Sequence, residues 1–258
     1  MPSIRVNNIT FDRIEAIIFD KDGTLEDSQE FLRKLGQVRS RLVDAQIPGI
    51  GEPLLMAFGI ENDTLDPTGL MATGTRQENE IATAAYIAET GRGWIESKNI
   101  AQKAFIEADN SFKNHPPSPL FVGGLDVLKS LYDGGIKLGI LSAATTEQVQ
   151  AFVTRHKLDP YIQLQKGASE NLAKPNPALF VQSCQELGVE PGKTLMVGDS
   201  AGDMQMAKQA GAAGAIGICW QPSSHDLQMA DVVISALDAI AIITGGASNQ
   251  PLSPSDSL

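Results

Sequence analysis

The segment Ala16-Ile17-Ile18-Phe19-Asp20-Lys21-Asp22-Gly23-Thr24 constrains this chain more than any other. Four apolar residues run unbroken and stop at two carboxylates spaced i, i+2, just before a Gly-Thr turn. An unbroken apolar run ending in a turn reads as a strand buried on both faces, as in a parallel sheet. In extended backbone, residues i and i+2 point to the same side. A turn there aims Asp20 and Asp22 at one point just beyond the sheet edge. Like charges held that close repel, and a cation between them relieves the repulsion. An all-oxygen site suits Mg²⁺, which takes one or two carboxylates plus substrate phosphate oxygens. A carboxylate beside such an ion can also act as a nucleophile toward phosphorus.

At 258 residues, the chain has room for one domain or two. Its formal charge of -11 argues against nucleic acid as a partner, because phosphate backbones demand basic patches. A small phosphate ester stays open, since local charge decides binding there. Residues 1–10 carry no apolar core segment of the signal-peptide kind, and no apolar window exceeds strand length. A cytoplasmic protein with no membrane segment is expected. Cys184 and Cys219 are expected to be reduced, buried thiols. Ile4, Val6, Ile9 and Phe11 predict an extra edge strand, and the Ser/Pro-rich tail 246–258 predicts disorder.

Past Leu25 the pattern turns helical. Apolar residues near a 3.6 period predict a helix over 28–45 with Ser28 as N-cap, then helices over 77–89 and 94–114. Residues 62–74 read as loop, and Pro116-Pro117-Ser118-Pro119 stops the helical run. From Val122 the rhythm alternates: helices over 124–133, 145–156, 176–187 and 201–210 interleave with strands over 137–141, 162–165, 194–197, 215–219 and 231–234. The predicted fold is α/β: a doubly wound, Rossmann-like parallel-sheet core (1–27 and 117–245) with an inserted α-helical domain (28–116). Ligands of such sheets bind outside the carboxyl ends of the strands.

Four loops lie at those ends. The first holds Asp20 and Asp22. The second, Ser142-Ala143-Ala144-Thr145, offers a hydroxyl and free N–H groups at a helix start, an anion site. In the third, Pro175 bars helix at Lys174, whose ammonium can then reach a phosphate. In the fourth, Asp199 ends a buried strand and Asp203 follows one helical turn later, so both can face a metal. A turn residue, a solvated lysine and helix caps are the bland readings of these residues taken singly; their order at successive strand ends decides.

That ordered set resembles the haloacid dehalogenase-like phosphohydrolases, on Asp20-Lys21-Asp22-Gly23-Thr24, Ser142, Lys174-Pro175 and Gly198-Asp199-Ser200-x-x-Asp203. In style the chain looks most like the phosphoglycolate phosphatase branch, and the insertion matches that family's helical cap in position. The resemblance implies a Mg²⁺-dependent phosphatase of small phosphorylated metabolites. It makes Asp20 the nucleophile and a metal ligand, and Asp22 the acid/base, with its carbonyl on the metal. Asp199 adds a metal carboxylate, and Asp203 binds the metal or orients Lys174. Ser142 and the backbone at Ala143 hold the phosphoryl oxygens, Lys174 neutralises charge, and Thr24 hydrogen-bonds near Asp22. Ala143 and Ala144 depart from the polar residue often found after the motif serine. In related caps a loop such as Ala72-Thr73-Gly74-Thr75-Arg76 reads the leaving group, which makes Arg76 a candidate partner for a carboxylate or second phosphate. Trp94 reads as core of the cap, and His115, His156 and His225 as bystanders. A monomer or homodimer fits the resemblance. The alternatives are a sugar phosphomutase of the same fold and a non-catalytic phosphoryl-binding or signalling module.

Overall fold

The structure, a computed structural model of the chain, describes residues 2–113, 115–169, 171–220 and 227–243. The predicted disordered tail and His225 lie outside these residues. The hairpin β1 (Ser3–Val6) and β2 (Ile9–Phe11) comes first, then β3 (Ala16–Phe19), which is buried throughout. A helical segment follows: α1 (Gln29–Asp44), α2 (Gly51–Phe58), the hairpin β4 (Ile60–Glu61) and β5 (Thr64–Leu65), α3 (Leu70–Thr73), α4 (Arg76–Glu89) and α5 (Trp94–Ser111). The chain then alternates through α6 (Gly124–Asp133), β6 (Lys137–Leu141), α7 (Thr146–Arg155), β7 (Ile162–Lys166), α8 (Pro177–Leu187), β8 (Thr194–Gly198), α9 (Ala201–Gln209), β9 (Gly214–Ile218), β10 (Val232–Ile234) and β11 (Ile240–Ile243).

The main sheet has the order β10-β9-β8-β3-β6-β7, and every adjacent pair is parallel. Strand alternation splits its side chains between two cores. Ile17 and Phe19 pack with Leu138, Ile140 and Val197 on one face, while Ala16 and Ile18 pack with Met196, Phe180 and Met204 on the other. The predicted doubly wound core is therefore present, with β3 at its centre. The helical body buries a separate core that includes Val43, Leu54, Phe58, Ile87 and Phe105. Two segments joining it to the sheet run side by side, with Asp27 N–H donating to the Pro119 carbonyl (2.9 Å) and Phe121 N–H to that of Leu25 (3.0 Å). No helix among the described residues is long and apolar enough to cross a membrane.

Four local expectations need correction. The N-terminal strand does not extend the main sheet: β1 pairs antiparallel with β2 and β11 in a separate three-stranded sheet. Ile4 and Val6 alternate with polar residues, so one face closes over the core while the other meets solvent. Within the expected loop 62–74, Asn62 and Asp63 both take positive φ (47° and 61°) and close the hairpin β4–β5. Ser28 occupies the N-cap position of α1 but does not cap it: its backbone (φ -94°, ψ 2°) lacks the extended shape that lets the hydroxyl reach back, and its Oγ is buried without a partner. Trp94 is 45% exposed, not core, because it is the first residue of α5, outside the packed stretch that begins at Ser97.

Candidate active site

β3 leads into Asp20, whose N–H donates to the Val197 carbonyl of β8 (2.8 Å). The chain then folds back, with Glu26 N–H donating to the Lys21 carbonyl (2.8 Å) and Gly23 N–H to that of Glu26 (2.9 Å). Gly23 takes φ +78°, and a Cβ there would lie 2.0 Å from Asp199 Oδ2. Only glycine permits both this conformation and this approach. The Trp220 indole N–H donates to the Gly23 carbonyl (2.9 Å), and its ring stacks on Phe121 at 3.9 Å.

Beside the turn, three carboxylates converge. Asp20, Asp199 and Asp203 each offer an oxygen within 4.8 Å of the others. Asp203 stands at the third position of α9, where Ser200 caps the helix: Asp203 N–H donates to Ser200 Oγ (3.2 Å), which donates to Asp203 Oδ2 (2.6 Å). Gly198 lets the carboxylate fold back, since a Cβ there would meet Asp203 Cγ at 2.5 Å. Lys174 Nζ joins Asp20 Oδ1 (2.5 Å) to Asp203 Oδ1 (2.6 Å). Thr24 Oγ1 donates to Asp199 Oδ1 at 3.4 Å.

Electrostatics follow from burial. Desolvation pushes Asp20 up to about 7, with Lys174 opposing and Asp203 and Asp22 adding to the rise. Desolvation, then Asp20 and Asp203, holds Asp199 well above the ordinary carboxylate range. Burial pulls Lys174 down, but Asp20 and Asp203 outweigh it and the net shift is upward. Buried, crowded hard oxygens of this kind fit a divalent cation of the Mg²⁺ class, whose charge would reverse both carboxylate shifts.

Asp22 does not join the carboxylate trio. Its Oδ1 accepts from Lys21 Nζ at 2.6 Å, and Lys21 also donates to Glu26 Oε2 at 2.6 Å. Burial alone would lower Lys21, yet Asp22 and Glu26 raise it to about 12. The other Asp22 oxygen accepts from Ser142 Oγ at 3.5 Å. Ser142 follows β6, and its Oγ accepts from Ala144 N–H at 3.0 Å. Thr145 then caps α7 in a capping box with Gln148. The four predicted strand-end loops thus meet at one edge of the sheet.

Two cavities flank Asp22 between the sheet and the helical body. One, about 360 Å³, is lined by Asp22, Ala143, Ala144, Ala72, Gly74 and Arg76. The other, about 670 Å³, is lined by Asp22, Gly23, Asp199, Phe121, Cys219 and Trp220. Loop 72–76 therefore faces Asp22 across the cleft. Arg76 reaches the cleft but is engaged within the helical body, donating to Glu80 (2.6 Å) and Asp109 (3.1 Å). Asp109 also accepts from Arg39, whose guanidinium lies over the Phe105 ring at 4.1 Å. His115 packs on Phe112 and Phe31. His156 is the C-cap residue of α7 and packs on Phe152.

Sequence reasoning missed the Lys21–Glu26 pair and the Trp220 contact. Lys21 was visible inside the motif, but nothing in a spacing pattern links it to Glu26 across a turn. Trp220 and Gly23 stand 197 residues apart.

A protein-family model described as haloacid dehalogenase-like hydrolase matches residues 14–211. Phosphoglycolate phosphatase 1 of Pseudomonas aeruginosa is 29% identical over 196 residues, which span 76% of this chain and 66% of that protein. The chain thus covers just under two thirds of that relative. A phosphoglycolate phosphatase of Neisseria gonorrhoeae is 26% identical over 245 residues, 90% of this chain and 94% of that protein. Among solved structures, a predicted phosphoglycolate phosphatase from Haemophilus somnus superposes with a TM-score of 0.67 at 22% identity, covering 87% of this chain and 95% of its own.

Proposed function

Because this chain belongs to the haloacid dehalogenase-like hydrolase family, we propose that it is a Mg²⁺-dependent phosphatase of small phosphate monoesters, acting through an aspartyl-phosphate on Asp20. The observation that carries this reading is the position of Asp20: buried, 2.5 Å from Lys174, grouped with Asp199 and Asp203, and two residues before Asp22. The relatives' name makes phosphoglycolate the first ester to test.

An Asp20 oxygen attacks phosphorus and the bond to the leaving oxygen breaks, while Asp22 gives that oxygen a proton. Asp22 then takes a proton from water, which attacks the phosphoaspartate; phosphate leaves and the Asp20 carboxylate is restored. Ser142 Oγ and the N–H of Ala143 hold the phosphoryl oxygens, with Ala144 N–H donating to Ser142 Oγ. Lys174 neutralises charge on Asp20 and on the transferring group. Asp20, Asp199, Asp203 and the Asp22 carbonyl would hold Mg²⁺. When bound, the ion offsets the negative charge of carboxylates and phosphoryl oxygens. The helical body (28–116) acts as a cap that excludes water, and Arg76, which lines the cleft, would have to leave Glu80 or Asp109 to meet the leaving group.

The test is phosphate release from a panel of phosphoglycolate, sugar phosphates, nucleotides and an aryl phosphate, with Mg²⁺ and with EDTA. Metal-dependent release that disappears in Asp20→Asn is expected. A folded, metal-loaded protein that releases phosphate from none of these esters overturns the reading.

A further inference from the structure

The mechanism above gives no role to Lys21, a buried cation beside its acid/base residue. Lys21 sits between two carboxylates, 2.6 Å from Asp22 Oδ1 and 2.6 Å from Glu26 Oε2, with its side chain only 8% exposed. Its ammonium also lies 5.6 Å from the centre of the Phe152 ring. Asp22, by contrast, follows the nucleophile onto a turn, and its side chain is 20% exposed at the cleft. Among the described residues its charged partner is Lys21, and its second oxygen has only the 3.5 Å contact from Ser142.

We propose that Lys21 is a positioning residue: it fixes the Asp22 carboxylate for proton transfer to the leaving group, and Glu26 anchors the ammonium that does so. This rests on the phosphatase reading. Three features support it. Glu26 belongs to the same tight turn, its N–H bonded to the Lys21 carbonyl at 2.8 Å. Glu26 also bridges to Leu120, on the segment returning from the helical body, so the anchor is tied on both sides. Finally, the ammonium is shared. When Asp22 carries the proton and is neutral, Lys21 still has Glu26, and no buried charge is stranded without a partner. A purely structural pair of Lys21 and Glu26 would need no third charge reaching into the cleft.

A proton donor matters most when the leaving group is poor. Alkyl phosphates expel a strongly basic alkoxide and need the proton; p-nitrophenyl phosphate expels a stabilised phenolate and scarcely does. The quantity to measure is kcat/KM, which covers steps through departure of the leaving group. Lys21→Met is expected to lower kcat/KM for alkyl phosphates by about 10- to 100-fold, a fraction of what general acid catalysis contributes, and for p-nitrophenyl phosphate by less than about threefold. Lys21→Arg should restore part of the alkyl rate. In an Asp22→Asn background, Lys21→Met should add nothing to the alkyl loss. Equal losses for both ester classes, or a full extra loss in the Asp22→Asn background, would overturn the proposal and leave Lys21 a structural residue. Should Lys21→Met fail to fold by circular dichroism, Glu26→Gln carries the same test, with about a 3- to 10-fold selective loss expected and an equal loss decisive against it. A wild type inactive on every ester would instead sink the phosphatase reading itself.

Discussion

Two lysines flank the end of β3, and each holds two carboxylates. Lys174 binds Asp20 and Asp203; Lys21 binds Asp22 and Glu26. The first knot gathers residues from the end of β3, from the loop before α8 and from the first turn of α9. It is closed to solvent, with the Asp203 side chain 1% exposed. The second knot is folded almost wholly from one turn, and one of its acids opens onto the cleft. The difference teaches how one family of contacts serves two ends. Where three strand-end loops converge, the lysine offsets a charge density that packing has forced together. Where one turn folds on itself, the lysine governs the direction of a single carboxylate.

The largest expected difference is in stability. Lys174→Met leaves two buried carboxylates without their cation, beside a third, Asp199. Removing one partner of a buried ion pair costs about 3–5 kcal/mol. Lys21→Met leaves the part-exposed Asp22, which water can reach, and the buried Glu26, and should cost about 1–2 kcal/mol, nearer that of one unsatisfied buried group. Urea midpoints in EDTA measure both. Added Mg²⁺ should restore much of the Lys174→Met loss and little of the Lys21→Met loss, because the carboxylates that would hold the ion lie in the first knot alone. Equal losses, both indifferent to Mg²⁺, would break the distinction.

A smaller effect isolates the carboxylate trio. An ion that binds the folded state at 100 times its Kd stabilises by about 2.7 kcal/mol. For a chain of this size that is on the order of 5–10 °C in Tm. Mg²⁺ should shift the wild type by this order and Asp199→Asn by almost nothing. Asp199→Asn removes a crowded, half-buried charge, so in EDTA its own Tm should equal or exceed that of the wild type. A full Mg²⁺ shift in Asp199→Asn would remove that residue from the ion's ligands.

Much of the first knot was legible before any coordinates. Asp20 closes an apolar run, Lys174 is held out of helix by Pro175, and Asp199 ends a second apolar run. These are local signals, and the strand-order rule brings them together. The second knot was illegible for the opposite reason. Lys21 and Glu26 pair across an irregular turn, where neither a period of 2 nor one of 3.6 applies. The sheet of β1, β2 and β11 hid likewise, because β1 and β11 stand at opposite ends of the described chain and register gives no local sign. Ser28 shows the limit of residue-type rules: the cap-forming residue is present, but its backbone is not shaped to use it. Arg76 shows another, since its pairing with Asp109, 33 residues away, has no local signal.

The smallest effect separates stability from chemistry within the helix starts at the site. Thr145 and Ser200 each close a capping box, Thr145 with Gln148 and Ser200 with Asp203. Losing an N-cap hydroxyl costs about 1 kcal/mol, so Thr145→Ala and Ser200→Ala should lower stability alike. Their consequences for turnover should differ. Gln148 accepts from the Thr145 backbone, whereas Asp203 is held by Ser200 and also binds Lys174. Releasing it from Ser200 loosens the closed knot, so Ser200→Ala should lower kcat several-fold at saturating Mg²⁺ while Thr145→Ala leaves it near the wild-type value. Equal kcat values in two equally destabilised variants would mean that Lys174 alone holds Asp203 in place, and that the Ser200 bond contributes only to the start of α9.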